Sequence, residues 1–468
     1  MNYAGDLWQW AEAGTAEQKG IGDMLFYGLI TALAIALACF VASWPAQRKS
    51  LAEYAAREGG MRKRTGERVP VRDREGSVRQ DMPVGGQIFA RQRAPFCGGY
   101  GMTRQRALSL LCLAGIFVLL AGVAALRIEV GNDYGKYVDI FHEIYAGTDS
   151  AYVVTEPGFN FVVKAVYILS GYENYLLVFA LFGAATAFVF LKAMYEQSAD
   201  FKVSLAMFLL LGIYFRTFTT VRYYFVLALT LYSLKYVKNR EFGKFFLLIL
   251  FTSLFHKSVL VVLVFYPLAH FSWKKRMVVG GGILAAGAFL FQKQILALAL
   301  QLYPTFRDTV YLTQGIGLSA NASGILRCLF VFLLSAICWR ESVRVNSENR
   351  FYLKLSVLGF LLYTSGSFLP LVSRLAYYVV TPQILLVPGL LEGLWAQEKA
   401  ENGGNASEKR RCAGAGRKRI LVTALTAVFC LGYFFWFLKI ASGNGINVLP
   451  YRTWIFTDKE WINGSDLF

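Results

Sequence analysis

The sequence predicts an all-α, polytopic membrane protein, with about twelve crossing helices and one further segment that dips into the bilayer. Composition comes first. Of 468 residues, 56% are hydrophobic, 16% are aromatic and only 17% are charged, against roughly 25% charged in soluble domains. The second observation is the recurrence of apolar runs, among them 24–44, 107–126, 277–295 and 420–440. Each is close to the ~20 residues a helix needs to cross a ~30 Å hydrocarbon core. The third is the placement of charge. The net +18 sits between the apolar runs: residues 45–106 hold 14 Lys and Arg against 6 Asp and Glu, and 396–419 hold 7 against 3. Basic residues gathered in alternate loops mark the cytoplasmic side of a membrane protein, and this pattern excludes a nucleic-acid partner, whose footprint would be a basic stripe on a soluble fold. The seven cysteines are scattered without a CxxC pair, so neither a disulfide framework nor a metal site is expected, and no cofactor is called for.

The elements follow in order. Residues 1–23 carry four acids and one Lys and are placed outside. They lack the basic start of a signal peptide, so 24–44 reads as a retained first helix. It delivers 45–106 to the cytoplasm; that loop is rich in Gly and Arg and reads as disordered. Helix 107–126 returns outward to an external loop, 127–157, with six acids. A polytopic core, 107–395, continues from there. Residues 158–170 follow Glu156-Pro157 and carry Lys164, which reads as a re-entrant half-helix buried against protein. Helix 176–194 crosses inward, and short helices follow at 203–215, 221–237, 242–255 and 257–272. Basic turns at 235–244 and 274–276 lie on one side, which forces an outer turn at Phe255-His256-Lys257. Helices 277–297, 324–339 and 352–372 alternate, Ser373-Arg374 forms a turn, and 375–395 leads to the basic loop 396–419. A last helix, 420–440, leaves 441–468 outside.

Ionisable residues near membrane depth are costly and mark functional candidates. Hydropathy and loop charge alone gather Asp133, Glu156, Arg216, Arg222, His256 and Arg374 at the outer face. Guanidinium forks bind phosphate oxygens in pairs, and a His or carboxylate deprotonates a hydroxyl when its pKa lies near working pH. The sequence has no DxD, HExxH or Gly-rich phosphate loop, so leaving-group charge falls to the arginines rather than to a chelated metal, with Asp133 and Asp139 as the alternative carboxylates for one. Plainer readings stand beside these: Arg216 and Arg222 as headgroup anchors, His256 as a core histidine, Asp133 with Tyr134 and Tyr137 as a helix start. His270 reads as structural, His142 as solvated, Arg307 and Asp308 as a surface pair, and Arg327 as a snorkelling anchor.

The residues from Leu126 to Tyr134 with Tyr137 and Glu156-Pro157-Gly158-Phe159, then Val221-Arg222-Tyr223 leading to Leu254-Phe255-His256-Lys257-Ser258, and later Arg374-Leu375-Ala376-Tyr377-Tyr378, resemble the EpsG family over roughly 107–390. Tyr223 stands where that family usually has Gln, and the 45–106 insertion is longer than usual. The resemblance implies a Wzy-like polymerase of bacterial exopolysaccharide, capsule or O-antigen repeat units. Its fold would be that of membrane-embedded glycosyltransferases using lipid-carried sugars, in the inner membrane with the active face outside. Donor and acceptor would be undecaprenyl-diphosphate-linked glycans, with a flippase and a chain-length regulator as further partners. It implies that Arg222, Arg216 and Arg374 hold the diphosphate. The base would be His256, or alternatively Asp133 or Glu156, and Tyr134 and Tyr137 would stack on sugar rings. The rival readings are a lipid-linked oligosaccharide flippase, an O-antigen ligase and a membrane acyltransferase.

Overall fold

The computed structural model describes residues 22–41, 104–147, 155–271, 275–302, 321–367, 372–401, 406–441 and 446–455. Most of the acidic N-terminal segment, most of the basic 45–106 loop, Arg307 with Asp308, and the end of the tail lie outside them. Among the described residues all regular structure is helical, apart from one isolated antiparallel bridge between Arg127 and Thr453.

Helix α1 spans Gly22–Ala38. After it come α2 (Arg104–Ala125), α3 (Tyr134–Ala146), α4 (Pro157–Ser170) and α5 (Tyr175–Gln197). Local chemistry sets several boundaries. Asn174 caps α5 by accepting from Leu177 N at 3.0 Å, as a side-chain oxygen at that position does. Gly147 and Gly171 close α3 and α4 in the left-handed conformation. The stretch expected as one helix at 203–215 is two, α6 (Phe201–Leu210) and a single turn α7 (Ile213–Arg216), broken at Gly212. Helix α8 (Val221–Lys238) is buried over most of its surface and packs against α5 and α9 (Phe242–Ser253). The turn expected at 255–257 is present, and α10 (Lys257–His270) leaves it as a tighter 3₁₀ coil over Lys257–Val264. That coil rises ~2.0 Å per residue instead of ~1.5 Å, so fourteen residues reach further than an α-helix of the same length.

The second half departs further from expectation. The helix expected at 277–297 is bent, with α11 (Lys275–Leu290) and α12 (Gln292–Leu302) meeting at Phe291, and the axis turns by 78° there. Helix α13 (Ala322–Ile337) ends in a π-turn at Trp339–Val343, and α14 covers Ser347–Ser365, several residues earlier than the expected 352–372. Ser373 and Arg374 are not the turn itself; they sit in the first turn of α15 (Val372–Val380). Thr381-Pro382 separates α15 from α16 (Gln383–Glu401). The last helix, α17 (Ala406–Ile440), takes in much of the basic segment expected as a loop. Ala, Lys and Arg there are good helix formers, so the span extends by roughly four turns beyond its apolar part.

Among the described residues, four helices suffice by length and composition to cross a membrane: Arg104–Ala125, Tyr175–Gln197, Val372–Trp395 and Gly416–Ile440. The bent pair makes five if counted as one span. The expected dozen is not confirmed among the described residues. Six other apolar helices have 10–17 residues, and the 12 residues of α9 cover only ~18 Å.

The chain closes on itself through its tail. Ile128 N donates to Arg452 O at 3.0 Å, Gly131 N to Asn447 O at 2.7 Å and Trp454 N to Leu126 O at 3.2 Å. Tyr27 Oη donates to Val448 O at 2.7 Å, and Tyr451 Oη to Val123 O at 2.9 Å. The strap at 446–455 thus ties α1 and the end of α2 together. Gly131 permits the crossing: it has φ +106°, and a Cβ there would lie 2.3 Å from Phe218 O.

Candidate active site

Glu156 ends the 127–157 loop. As the residue before Pro157 it is held extended, which carries its side chain back over the start of α4. Gly158 N donates to Leu254 O at 2.9 Å, and a Cβ at Gly158 would lie 2.8 Å from the Leu254 Cβ. The absence of a side chain there lets α4 rest on the α9–α10 turn. That approach places Glu156 against His256: Oε1 faces His256 Nδ1 at 3.3 Å and accepts from Lys257 N at 3.2 Å. Oε2 takes the Arg222 guanidinium at 2.6 Å. Glu156 and Arg222 are both largely buried, with side chains 8% and 12% exposed. Burial opposes ionisation of Glu156, but the His256 hydrogen bond, the Arg222 charge and the Lys257 N–H outweigh it and hold the carboxyl below its ordinary value.

Arg222 is fixed on three sides. Its guanidinium lies over the Phe159 ring at 5.0 Å and the Tyr137 ring at 5.9 Å. Its backbone N donates to Tyr137 Oη at 3.3 Å. Tyr223, the next residue, reaches the other way. Its hydroxyl donates to Arg374 O at 2.5 Å, and its ring meets His256 and Tyr378 edge-on. Tyr378 Oη shares a 2.9 Å hydrogen bond with Ser258 Oγ. Tyr223 therefore links the Glu156–His256 pair to the start of α15.

A second group of cations adjoins the first. Arg216, at the end of α7, is half-buried with its guanidinium over Phe437 at 5.4 Å. Arg327, on α13, is 3% exposed and lies over Tyr377 at 5.2 Å and Tyr433 at 5.7 Å. Arg216, Arg327 and Arg374 all act electrostatically on the Tyr224 hydroxyl. Among the described residues, none of the three has a carboxylate within ion-pair distance.

The remaining expected site residues are placed differently. Asp133 accepts from Thr220 Oγ1 at 2.8 Å and pairs with Lys136 at 3.6 Å; it is not in hydrogen-bond contact with Glu156 or His256. Tyr134 and Tyr137 are enclosed rather than open to a sugar: Tyr134 is 7% exposed and stacks on Phe179, and Tyr137 is 4% exposed among Phe141, Phe159 and Phe179. Their place is in the packing that carries Arg222.

The EpsG family matches residues 110–401 of the chain. The chain belongs to the EpsG family. No curated protein and no solved structure matches it.

Within this EpsG-family chain the resemblance motifs meet in space. Glu156-Pro157-Gly158 lies against Leu254 to Lys257, and Val221-Arg222-Tyr223 lies between that contact and Arg374. Two participants were missed in the sequence. Arg327, read as an anchor, is buried beside Arg216; its position inside a short apolar helix was the available signal. Tyr223 bridges two elements from the position where the family usually carries Gln, and only the fold shows its partners.

Proposed function

We propose that this protein polymerises lipid-linked polysaccharide repeat units by glycosyl transfer. Donor and acceptor are undecaprenyl-diphosphate-linked glycans at the outer face of a bacterial inner membrane. The observation that carries the reading is the Glu156–His256 pair beside unneutralised arginines. With Nδ1 directed at the Glu156 carboxylate, the tautomer is set and His256 Nε2 is the free nitrogen. Nε2 takes the proton of the acceptor hydroxyl as its oxygen bonds to the donor's anomeric carbon. The bond from that carbon to the diphosphate oxygen breaks, the configuration inverts, and the electron pair leaves with the diphosphate. Arg216 and Arg374 face that charge. Arg222, already paired with Glu156, holds the carboxylate in line with His256 and meets the diphosphate only from behind that pair. A flippase and a chain-length regulator are the partners this activity calls for.

The test is a gel of lipid-linked and surface glycan from a strain carrying His256→Ala in place of the unsubstituted gene. General-base loss costs ~10²–10⁴ in rate, so single repeat units should reach the surface while the ladder disappears. A full ladder retained on its lipid carrier would point to a ligase, and no repeat unit at the outer face to a flippase. An unchanged ladder would remove His256 from the mechanism.

A further inference from the structure

Arg327 is charged, nearly completely buried and without a carboxylate partner among the described residues. An uncompensated buried charge is strongly unfavourable. The groups that soften its cost are two ring faces and the Tyr377 hydroxyl, and its Nε has no partner. Arg216 is in electrostatic range of it, with the same sign, and the Nε of Arg216 is also unpartnered. Two cations with unused donors are thus held against their mutual repulsion.

Arg127 in the same protein also leaves two donors, Nε and Nη2, without a partner, so what distinguishes it is its contact with the backbone. It is equally buried, but its Nη1 caps Ala124 O at 2.5 Å at the C-terminal end of α2, where the helix dipole favours a cation. Arg327 is the sixth residue of α13 and has no such help from its helix. The packing that seats it is specific. Gly324, one turn earlier, admits the Tyr363 ring, whose nearest atoms would lie 2.4 Å from a Cβ there. Arg216 is only half-buried, so it is less enclosed than Arg327.

We propose that Arg327 is a ligand-binding residue which, with Arg216 and Arg374, forms a cradle for the diphosphate of a polyprenyl-linked glycan. It rests on the glycosyl-transfer reading above and names an anion-holding residue within it. The division of labour is clear: the Glu156–Arg222–His256 group is neutralised internally and handles the proton, whereas the 216–327–374 group is cationic and handles the diphosphate. A diphosphate fits because each guanidinium offers a fork of N–H donors to paired phosphate oxygens. The lipid-borne and free forms share this headgroup chemistry, so both are used as probes.

The experiment measures binding of farnesyl diphosphate and of inorganic pyrophosphate to the full chain in lipid nanodiscs. The variants are Arg327→Met, Arg327→Lys and His256→Ala. Unsubstituted protein and His256→Ala should bind farnesyl diphosphate alike. Arg327→Met should weaken binding at least about tenfold, as for loss of a charge-assisted contact, and Arg327→Lys should restore part of it. Equal binding of pyrophosphate would support a site that reads the headgroup alone; weaker binding would support one that also reads the lipid. Should Arg327→Met fail to fold, the Lys variant decides, since it keeps charge and loses the fork. Unchanged affinity in the folded Arg327 variants, or no binding by unsubstituted protein, overturns the proposal. If affinity falls as expected but His256→Ala still polymerises, the cradle stands and the base assignment fails.

Discussion

Glu156 concentrates three partners on one carboxylate, and each makes a different demand. Arg222 needs its charge, His256 needs its orientation, and Lys257 N–H needs only an acceptor. Glu156→Gln keeps the shape and removes the charge, leaving Arg222 buried and unpaired. Breaking a buried pair costs on the order of 3 kcal/mol, so the variant should melt lower at neutral pH in detergent. The pH dependence has a definite sign. Because the folded carboxyl lies below its ordinary 4.5, its contribution is complete above that value and is lost as pH falls through the lower folded value. The melting gap between unsubstituted protein and Glu156→Gln should therefore close below about pH 4.5; a gap constant from pH 7 to pH 3 would show that the pairing does not set stability. At this scale the sequence was informative about which residues converge and less so about their roles. Arg222 and Glu156 both stood out as ionisable near a helix end, but no pattern in a sequence reveals that one neutralises the other. Tyr134 and Tyr137 stood out as aromatics beside an acid, and their enclosure depends on Phe179, some forty residues away.

At the scale of elements, the site is an agreement between α4 and the α9–α10 turn, and Gly158 is where they touch. Gly158→Val would drive a side chain into Leu254 and separate Glu156 from His256 without altering either. The expected outcome is loss of the polymer ladder, in line with the ~10²-fold penalty of an ångström-scale misplacement, with folded protein still recovered from the membrane. A retained ladder would mean that the contact between these elements is not what aligns the pair. The turn itself was legible, because two basic clusters on one side of a bilayer require an opposite turn between them. Helix number was not. Apolar runs give no warning of a sharp bend such as that at Phe291, or of a break at Gly212, and helix propensity carried α17 back through a charged stretch that charge alone marked as a loop.

For the molecule as a whole, the outer placement of the site rests on loop charge and is open to direct measurement. Reporter fusions at 238–244 and at 273–276 should both read cytoplasmic, and an external signal at either would reverse the orientation of α9 and α10. The membrane character and the helical class were plain in the composition. The closing strap was not, since a ten-residue segment of mixed polarity has no periodicity to mark a partner more than 300 residues away.

That strap bears on how the protein is made as well as on how it is held. The end of α2 emerges well before its backbone partners at 446–455, which are translated more than 300 residues later. Until they arrive, Gly131, Ile128 and the Tyr27 hydroxyl lack their native hydrogen bonds. Domains generally form from the N-terminus as the chain is synthesised, but here α1 and the end of α2 wait on residues made much later. The neighbourhood of Phe218, against which Gly131 packs, therefore takes its native shape only after the strap has been made.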